Sequence, residues 1–324
     1  MKALAMRWAL LTLGTAHCSF DALGIGHALL LVGLAIRLST LSYRNHLANR
    51  TAKREAVTSS RLRREKDNPM KHTLYQGDAF AFMSSIKDKD INLICTDLPY
   101  GITQNKWDSI LPLDKMWTEF NRVITDRGAI VLTASQPFAA KLICSNESNF
   151  RYDLIWEKTI ASGQLNVNRM PLRVHESILV FYKKTPVYNE QKTVGTPYRI
   201  SRKITSNDNY GLQKANSKEN DGYRHARSVI KISNPRVKGG HPTQKPLELM
   251  ELLIKMYSKP GDTVLDCCMG SGTTGVAAQR LNRGFYGSEL DKRYFAMAEK
   301  RIREEKKYNE INLRRNYNRF ACPQ

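Results

Sequence analysis

The tetrapeptide Asp97-Leu98-Pro99-Tyr100 is the segment of this chain whose residue types could most directly do chemistry. It follows the apolar run 91–95, which predicts a buried strand that ends near the acid. The Asp97 carboxylate and the Leu98 carbonyl could each accept a hydrogen bond from an amine, and the Tyr100 ring could stack on a flat base. These groups could hold the exocyclic amino group of a nucleobase taken out of its stack. Asp-X-Pro also begins ordinary turns, so the tetrapeptide alone leaves a purely structural role open.

A second segment, 270–275, fits the pattern G-x-G-x-x-G between a predicted strand and a predicted helix. Glycines let the backbone approach a ligand, and Glu289 at the end of the next predicted strand could bind ribose hydroxyls. Asp266 precedes the glycines, where it would repel a pyrophosphate but attract a cationic amino-acid group, as in S-adenosylmethionine. The segment therefore predicts a nucleotide-like cofactor and favours S-adenosylmethionine over a dinucleotide. A tight strand–helix turn without a ligand is the alternative.

The elements that must position these segments alternate between strand and helix, which predicts an α/β fold with helices on both faces of the sheet. The predicted strands are 91–96, 128–132, 152–156, 177–182, 263–266 and 284–287, and the predicted helices are 113–124, 246–257, 273–281 and 292–305. Only about fifty residues follow the glycine loop, so most strands of its sheet must precede it. The order predicts a circular permutation of the sheet.

The charge of the chain favours a polyanionic partner. The net charge is +21, and residues 70–324 alone hold 40 Lys and Arg against 26 Asp and Glu. None of the six cysteines forms a C-x-x-C pair, which predicts reduced thiols in the cytoplasm and no metal site.

Residues 1–69 do not continue the α/β pattern and are interpreted as an N-terminal extension, either disordered or read from a misplaced start codon before Met70. A membrane-associating helix is the alternative, because residues 22–36 are mostly apolar. That run is shorter than the ~20 residues that span a bilayer, which argues against a membrane protein. Residues 70–306 are predicted to form the catalytic domain, and 307–324 a basic C-terminal tail.

Three motifs give the sequence, over roughly residues 72–306, a resemblance to the amino-group DNA methyltransferases in the permuted order called the β class. Asp97–Tyr100 is similar to the catalytic D-P-P-Y motif of that family. His241–Pro246 closely matches the block before the cofactor helix, and Asp266–Thr274 is similar to D-P-F-x-G-S-G-T-T. Leu98 and Cys268 depart from the family's Pro and Phe.

The resemblance implies a Rossmann-like, S-adenosylmethionine-dependent methyltransferase fold with a circularly permuted mixed sheet. It also implies a base-flipping enzyme that methylates double-stranded DNA by direct in-line transfer. Asp rather than Ser at position 97 implies adenine N6 as the target, with cytosine N4 as the alternative. The implied catalytic residues are Asp97, Leu98, Pro99 and Tyr100. The implied cofactor-binding residues are Asp78, Thr243, Lys245, Asp266, Met269, Gly270, Gly272 and Glu289. Among them, Asp78 would contact the adenine of the cofactor, and Thr243 and Lys245 its methionine carboxylate.

The segment 186–240 stands where the family has its target-recognition region. It is polar, lacks clear periodicity, and holds 11 Lys and Arg against 4 Asp and Glu. Such residues can neutralise phosphates and read base edges, while a solvated, disordered loop is the alternative. The candidate DNA-binding residues are Arg199, Arg202, Lys203, Arg224 and Arg227.

Two rival classes are each disfavoured by one observation. RNA and protein N-methyltransferases with a similar tetrapeptide generally place the glycine loop before it, whereas here residue 97 precedes residue 270. A dinucleotide-dependent oxidoreductase would leave the motifs at 97–100 and 241–246 unexplained. A third rival, a non-catalytic DNA-binding module, stays open, and methyl transfer from labelled cofactor would decide it. A homodimer is among the states that the sequence allows.

Overall fold

The computed structural model describes residues 71–101, 108–209, 211–234 and 244–321. The predictions for residues 1–69, for Thr243 and for the side chain of Arg202 lie outside what is described. The strands are β1 (His72–Gln76), β2 (Ile91–Asp97), β3 (Ile124–Ala134), β4 (Phe150–Ser162), β5 (Arg173–Phe181), β6 (Thr193–Val194), β7 (Tyr198–Arg202), β8 (Thr205–Asn207), β9 (Gly211–Gln213), β10 (Asn216–Asn220), β11 (Tyr223–Arg224), β12 (Val229–Ile232), β13 (Thr263–Asp266) and β14 (Gly284–Glu289). The helices are α1 (Ala79–Ser85), α2 (Leu113–Val123), α3 (Phe138–Ser145), α4 (Leu247–Tyr257), α5 (Thr273–Arg280) and α6 (Lys292–Ala321).

Eight strands form one mixed sheet in the order β1-β14-β13-β2-β3-β5-β4-β12. The five strands from β1 to β3 in this order pair in parallel, β5 is antiparallel to both of its neighbours, and β12 is parallel to β4. Strand β13 lies between β14 and β2, although it comes late in the chain. The predicted mixed α/β sheet is confirmed, while the circular permutation stays a prediction.

Parallel pairing brings the two chemistry-bearing strand ends to one edge of the sheet. Strand β13 pairs with β2 through Leu265 and Ile94, so Asp266 and Asp97 both emerge at the carboxyl edge. Strand β3 pairs with β2 so that Thr133 lies directly beside Asp97. The carboxyl edge of an open α/β sheet is where ligands bind.

Two apolar layers cover the sheet, one on each face. Helices α4, α5 and α6 contribute Leu253, Val276 and Ile302 to the first layer, and helices α1, α2 and α3 cover the other face. Leu93 of β2 packs into the first layer and Ile94 into the second, because successive strand residues point to opposite faces. A sheet covered on both faces is the predicted arrangement.

The sequence patterns missed the first βα unit and misjudged where the last helix ends. Strand β1 is a five-residue edge strand with only two half-buried residues, so its apolar periodicity is weak. The predicted end of the last helix near residue 305 is wrong, since α6 continues to Ala321. No Gly or Pro occurs between residues 292 and 321 to stop it.

The insert is more regular than its sequence predicts. Strands β6 to β11 form three antiparallel pairs, β6 with β11, β7 with β10 and β8 with β9, nested as one long, interrupted hairpin. The last strand of the insert, β12, joins the main sheet. The predicted lack of regular structure is therefore wrong, because backbone ladders in exposed hairpins do not need an alternation of apolar residues.

The imidazole of His72 makes the fold sensitive to acid. Both ring nitrogens are buried and, among the described residues, have no hydrogen-bond partner. Burial, aided by Lys306, lowers the pKa of His72 from 6.5 to about 4. The ring is neutral in the folded protein, whereas in the unfolded chain it takes up a proton more readily. The free energy of unfolding therefore has its full value above pH 6.5 and decreases as the pH falls towards 4.

We expect the free energy of unfolding to lose up to about 3 kcal/mol between pH 6.5 and 4 through this one group. A His72→Leu variant should show a correspondingly shallower loss in urea denaturation at a series of pH values. Equal slopes for the variant and the wild type would contradict this assignment.

Candidate active site

A cleft of about 870 Å³ opens at the carboxyl edge of the sheet and unites described residues of all three motifs. Its lining includes all four residues of the tetrapeptide, Lys245 from the second motif, and Asp266, Met269 and Gly270 from the third. Asp78 and Glu289 line it as well. Segments that lie far apart in the sequence therefore form one concave site, as expected for a ligand-binding cleft in an α/β protein.

The Asp97 carboxylate is held by three side chains. Its Oδ1 accepts hydrogen bonds from the hydroxyl of Tyr100, at 2.7 Å, and from that of Thr133. Its Oδ2 accepts from Nζ of Lys245 at 2.6 Å. The side chain retains 26% of its exposure, so it is fixed in orientation yet open to the cleft.

Lys245 lies against Asp97, and the position near the cofactor carboxylate that the resemblance implies stays a prediction. Its Nζ lies 2.6 Å from Asp97 and 3.3 Å from Oε2 of Glu176, and its side chain is only 8% exposed. Glu176 also forms an ion pair with Lys158. Two carboxylates and two ammonium groups thus form a charge-balanced network, which is how buried charges are tolerated.

The network favours the ionised forms of Glu176 and Lys245. Burial opposes the charge of Glu176, but Lys245 and Lys158 outweigh it and lower the pKa of Glu176 below its usual value. Burial likewise opposes the charge of Lys245, but Asp97 and Glu176 raise its pKa above its usual value. Lys245 is therefore a permanent cation beside Asp97 at neutral pH.

The rest of the tetrapeptide packs around the acid. The Leu98 side chain is buried, and the half-buried Tyr100 ring stacks on Phe138 with centroids 5.6 Å apart. Burial, followed by the charge of Asp97, raises the pKa of Tyr100 well above its usual value, so its hydroxyl stays a donor. Leu98 fits the hydrophobic layer in place of the proline of the family motif.

The glycine loop is tied to the end of the next strand. The backbone N–H of Gly270 donates to Oε2 of Glu289 at 2.8 Å, and that of Met269 donates to the carbonyl of Ser288 at 2.9 Å. Gly272, with a φ of +77°, is the N-cap of α5. This geometry exposes Gly270 and Met269 to the cleft, while Gly272 shapes the turn rather than lining it.

Asp266, at the end of β13, is hydrogen-bonded to β2, the strand that ends at Asp97. Its Oδ1 accepts from the hydroxyl of Thr96, the neighbour of Asp97, at 2.7 Å and from the N–H of Cys268 at 3.2 Å. The side chain is buried, and burial, as the largest cause, raises the pKa of Asp266 to about 6.

Asp78 and Glu289 are two further carboxylates that the backbone orients. Asp78 caps α1, since its Oδ1 accepts from the N–H groups of Phe80 and Ala81, each at 2.9 Å. Glu289 accepts from Gly270 and, through Oε1, from the N–H of Asp291 at 2.9 Å. Burial raises the pKa of Glu289. An ionised carboxylate accepts hydrogen bonds and donates none. This side of the cleft therefore suits a ligand that is rich in hydrogen-bond donors and positive charge.

The candidate DNA-binding residues lie on the insert, apart from the residues that line the cleft. Arg199, Lys203 and Arg227 are exposed. Arg224 is half-buried and holds the insert together. Its guanidinium lies 4.4 Å from the centre of the Tyr198 ring and donates to Asn220 Oδ1 at 2.7 Å.

Two residues of the site carried no recognisable signal in the sequence. Thr133 reaches Asp97 only through the register of β2 and β3, and Lys158 reaches the site through its ion pair with Glu176. The contacts of Glu176 with Lys245 and Tyr100 also join segments that lie far apart in the chain. No group of described residues could hold a metal ion, and no helix among them is long and apolar enough to cross a membrane.

Together, the mixed α/β sheet, the glycine loop at one strand end and the acid-X-Pro-Tyr motif at the next define the class of amino-group methyltransferases. The chain matches the DNA methylase family of N6 and N4 methyltransferases over residues 91–300, and it belongs to that family. It is therefore a DNA methyltransferase that uses S-adenosylmethionine.

Individual relatives agree with this assignment. The chain is 28% identical to type II methyltransferase M1.MboII of Moraxella bovis, covering 69% of this chain and 94% of that protein. It is also 28% identical to the DNA adenine methyltransferase YhdJ of Escherichia coli K12, covering 71% and 82%. The solved structure of the cytosine-N4-specific PvuII DNA methyltransferase matches with a TM-score of 0.53 at 18% identity, covering 72% of this chain and 86% of that one, which shows a shared fold.

The residues present fit S-adenosylmethionine. Its ammonium group, ribose hydroxyls and adenine amine are donors, and the cleft offers the carboxylates of Asp266, Glu289 and Asp78. Gly287 of β14 lets the glycine loop pack closely on the sheet, since a Cβ there would lie 2.6 Å from Sδ of Met269.

The pKa of Asp266 leads to a testable pH dependence of cofactor binding. Only the ionised form attracts the ammonium group of S-adenosylmethionine, and that form is lost as the pH falls through about 6. We expect the affinity to be roughly tenfold weaker at pH 5 than at pH 7, measured by calorimetry. An Asp266→Asn variant should bind more weakly at pH 7 and show a flat profile. A flat profile in the wild type would contradict the role of Asp266.

Proposed function

We propose that this enzyme methylates the N6 amino group of adenine in double-stranded DNA. The observation that carries the proposal is the Asp97 carboxylate, which Thr133, Tyr100 and Lys245 hold at the mouth of the same cleft as the glycine loop. The adjoining Leu98 carbonyl supplies the second acceptor that a primary amine needs. Asp at this position supports adenine over cytosine.

The mechanism depends on how the chain holds the amine. A ring-conjugated amino group is a poor nucleophile, because its lone pair is shared with the ring. Two acceptors, Asp97 and the Leu98 carbonyl, would hold its two N–H groups and favour a pyramidal nitrogen whose lone pair points to the cofactor side of the cleft. S-adenosylmethionine, when bound, would supply an electrophilic methyl group to that lone pair, and the electrons of its sulfur–methyl bond would stay on the sulfur, which leaves as a neutral thioether.

The charge of Asp97 also acts during transfer. Positive charge develops on the amine nitrogen, and a fixed carboxylate at hydrogen-bond distance stabilises it in a site shielded from water. The methylated nitrogen must then lose one proton, for which Asp97 is the adjacent acceptor. Lys245 gives up part of its contact with Asp97 when the amine enters, and Glu176, 3.3 Å away, remains as its counter-ion.

The target base must leave the helix to reach this site, since the cleft lies at the end of a buried strand. Tyr100 is the aromatic side chain of the tetrapeptide on which the base would stack. The insert supports DNA binding through exposed Arg199, Lys203 and Arg227, which suit phosphate contacts. The free thiols of Cys95, Cys144, Cys267 and Cys268 support a cytoplasmic location, and a homodimer stays a prediction.

The base assignment is tested by incubating the full chain with unmethylated plasmid DNA and labelled S-adenosylmethionine, and then digesting the DNA to nucleosides. We expect the label in N6-methyl-2′-deoxyadenosine by mass spectrometry, and sequencing of the methylated plasmid identifies the target site. Label in N4-methyl-2′-deoxycytidine would overturn the adenine assignment. No label in DNA, with methyl transfer to RNA or protein, would overturn the proposed substrate.

A further inference from the structure

The hairpin between β4 and β5 ends in a tip that exposes apolar side chains to solvent. Ser162 and Arg173 are the last paired residues, and residues 163–172 form the tip. Leu165 is 100% exposed, and Val167 and Met170 are each 53% exposed. Large apolar side chains that are exposed together, rather than singly, mark an interaction surface.

Backbone hydrogen bonds give this tip a defined shape. The N–H of Asn166 donates to the carbonyl of Gly163 at 2.9 Å, and the N–H groups of Arg169 and Met170 donate to the carbonyl of Asn166 at 2.9 and 3.0 Å. Gly163 itself has a φ of +95°, which turns the chain out of β4. The tip is therefore preorganised with Leu165 held outward, and its binding needs little further ordering.

The tip stands at the rim of the active-site cleft. On β5, Glu176 contacts Lys245 beside Asp97, and Arg173 lies three residues earlier, roughly 10 Å away along an extended strand. Ser162, Arg173 and Glu176 all line the cleft. The two residues from which the tip extends therefore belong to the cleft in which a base would meet Asp97.

The charges around the tip suit nucleic acid. Residues 158–175 contain Lys158, Arg169 and Arg173 and no Asp or Glu. Arg169 and Arg173 are exposed. Apolar side chains flanked by guanidinium groups match a DNA groove, where cations contact phosphates and an apolar group enters the base stack.

We propose that the tip at residues 163–172 is a wedge that enters the DNA helix when the target base leaves it, with Leu165 as the inserted side chain. The proposal rests on the proposed function, because base extrusion leaves a gap in the stack that an apolar group can fill. Filling the gap offsets part of the cost of unpairing and unstacking the target. Leu165 is thus a positioning residue, remote from the reacting atoms.

The test compares Leu165→Ala with the wild type on unmethylated duplexes that contain the target site. On the fully paired duplex we expect the methylation rate of the variant to fall at least about tenfold, because the unpairing cost is no longer offset. On the same duplex with the target base mispaired, the loss should be less than about threefold, since that base is already easier to extrude. A purely structural role would reduce both rates equally.

A fluorescent analogue at the target position reads extrusion without methyl transfer. With 2-aminopurine there, the wild type should raise the fluorescence, Leu165→Ala should raise it far less, and Leu165→Met should restore the rise. Ile311→Ala, at a half-exposed apolar residue of α6, is the matched control and should behave as the wild type. If the nucleoside analysis shows cytosine as the target, a fluorescent cytosine analogue replaces 2-aminopurine. Failure of the adenine assignment is thereby distinguished from failure of the wedge.

Four outcomes would overturn the wedge. Equal losses on paired and mispaired duplexes, or no loss on either, would exclude a role in extrusion. Failure of the wild type to unstack the target base would also exclude this role. A change of mass in sedimentation on replacing Leu165 would show that the tip instead contacts a second copy of the chain.

Discussion

Replacing Asp97 by Ala should lower the rate of methyl transfer to DNA by at least about 1,000-fold, while cofactor affinity changes less than about threefold. The substitution removes the acceptor that orients the amine and stabilises its developing charge. The cofactor contacts remain, because the glycine loop is held by Glu289 and Ser288 rather than by Asp97. Single-turnover methylation and calorimetry with S-adenosylmethionine measure the two effects separately.

Asp97→Asn is the matched control for structure. It keeps the size of the side chain and one oxygen acceptor for Thr133 and Tyr100, and Lys245 keeps Glu176 as its counter-ion. We expect Asn to preserve thermal stability better than Ala but to lose most of the activity, because the charge is gone. Methylation within tenfold of the wild type in either variant would rule out the mechanism.

Replacing Gly272 by Ala should destabilise the protein by roughly 2 to 4 kcal/mol and weaken cofactor binding at least about tenfold. A side chain at a φ of +77° is strained in itself. Its Cβ would also lie 2.8 Å from Cβ and 3.0 Å from Cα of Ala298 in α6, so the helix backbone would have to move. That movement would displace the loop that carries Gly270 and Met269.

Gly261→Ala separates the effect of backbone strain from the effect of the contact with α6. Gly261 also has a positive φ, of +92°, but a Cβ there would meet nothing within 4 Å. It should therefore lose only about 1 to 2 kcal/mol, for the backbone strain, with unchanged cofactor affinity. Urea unfolding and calorimetry provide the comparison, and equal behaviour of the two variants would show that the packing of Gly272 against α6 has no effect.

Long and strongly patterned elements could be predicted from the sequence, and weakly patterned ones could not. Helices α2, α4 and α5 and strand β13 lie within one residue of their predicted bounds, because their apolar spacing and flanking residues are local signals. Strand β1 is too short and too exposed to show a pattern. The insert hairpins are held by backbone hydrogen bonds, which leave no periodic trace in the side chains.

The sequence by itself determined which groups end the strands. The acid and proline of Asp97–Tyr100, the glycines at 270–275, and Asp266 and Glu289 are all set by residue types within a few positions of a strand end. Strand ends and tight turns depend on local conformational preference, so their chemistry can be inferred without the fold.

Only the tertiary structure decided what surrounds Asp97. Thr133 is 36 residues away in the chain and Lys245 is 148 residues away, yet both donate to the same carboxylate. The position of Thr133 follows from the register of β2 and β3, and a shift of one residue would turn it to the other face of the sheet. Lys245 lies just before α4 and reaches Asp97 because that helix packs on the sheet. Such long-range register depends on packing both faces of the whole sheet, so no short segment of sequence encodes it.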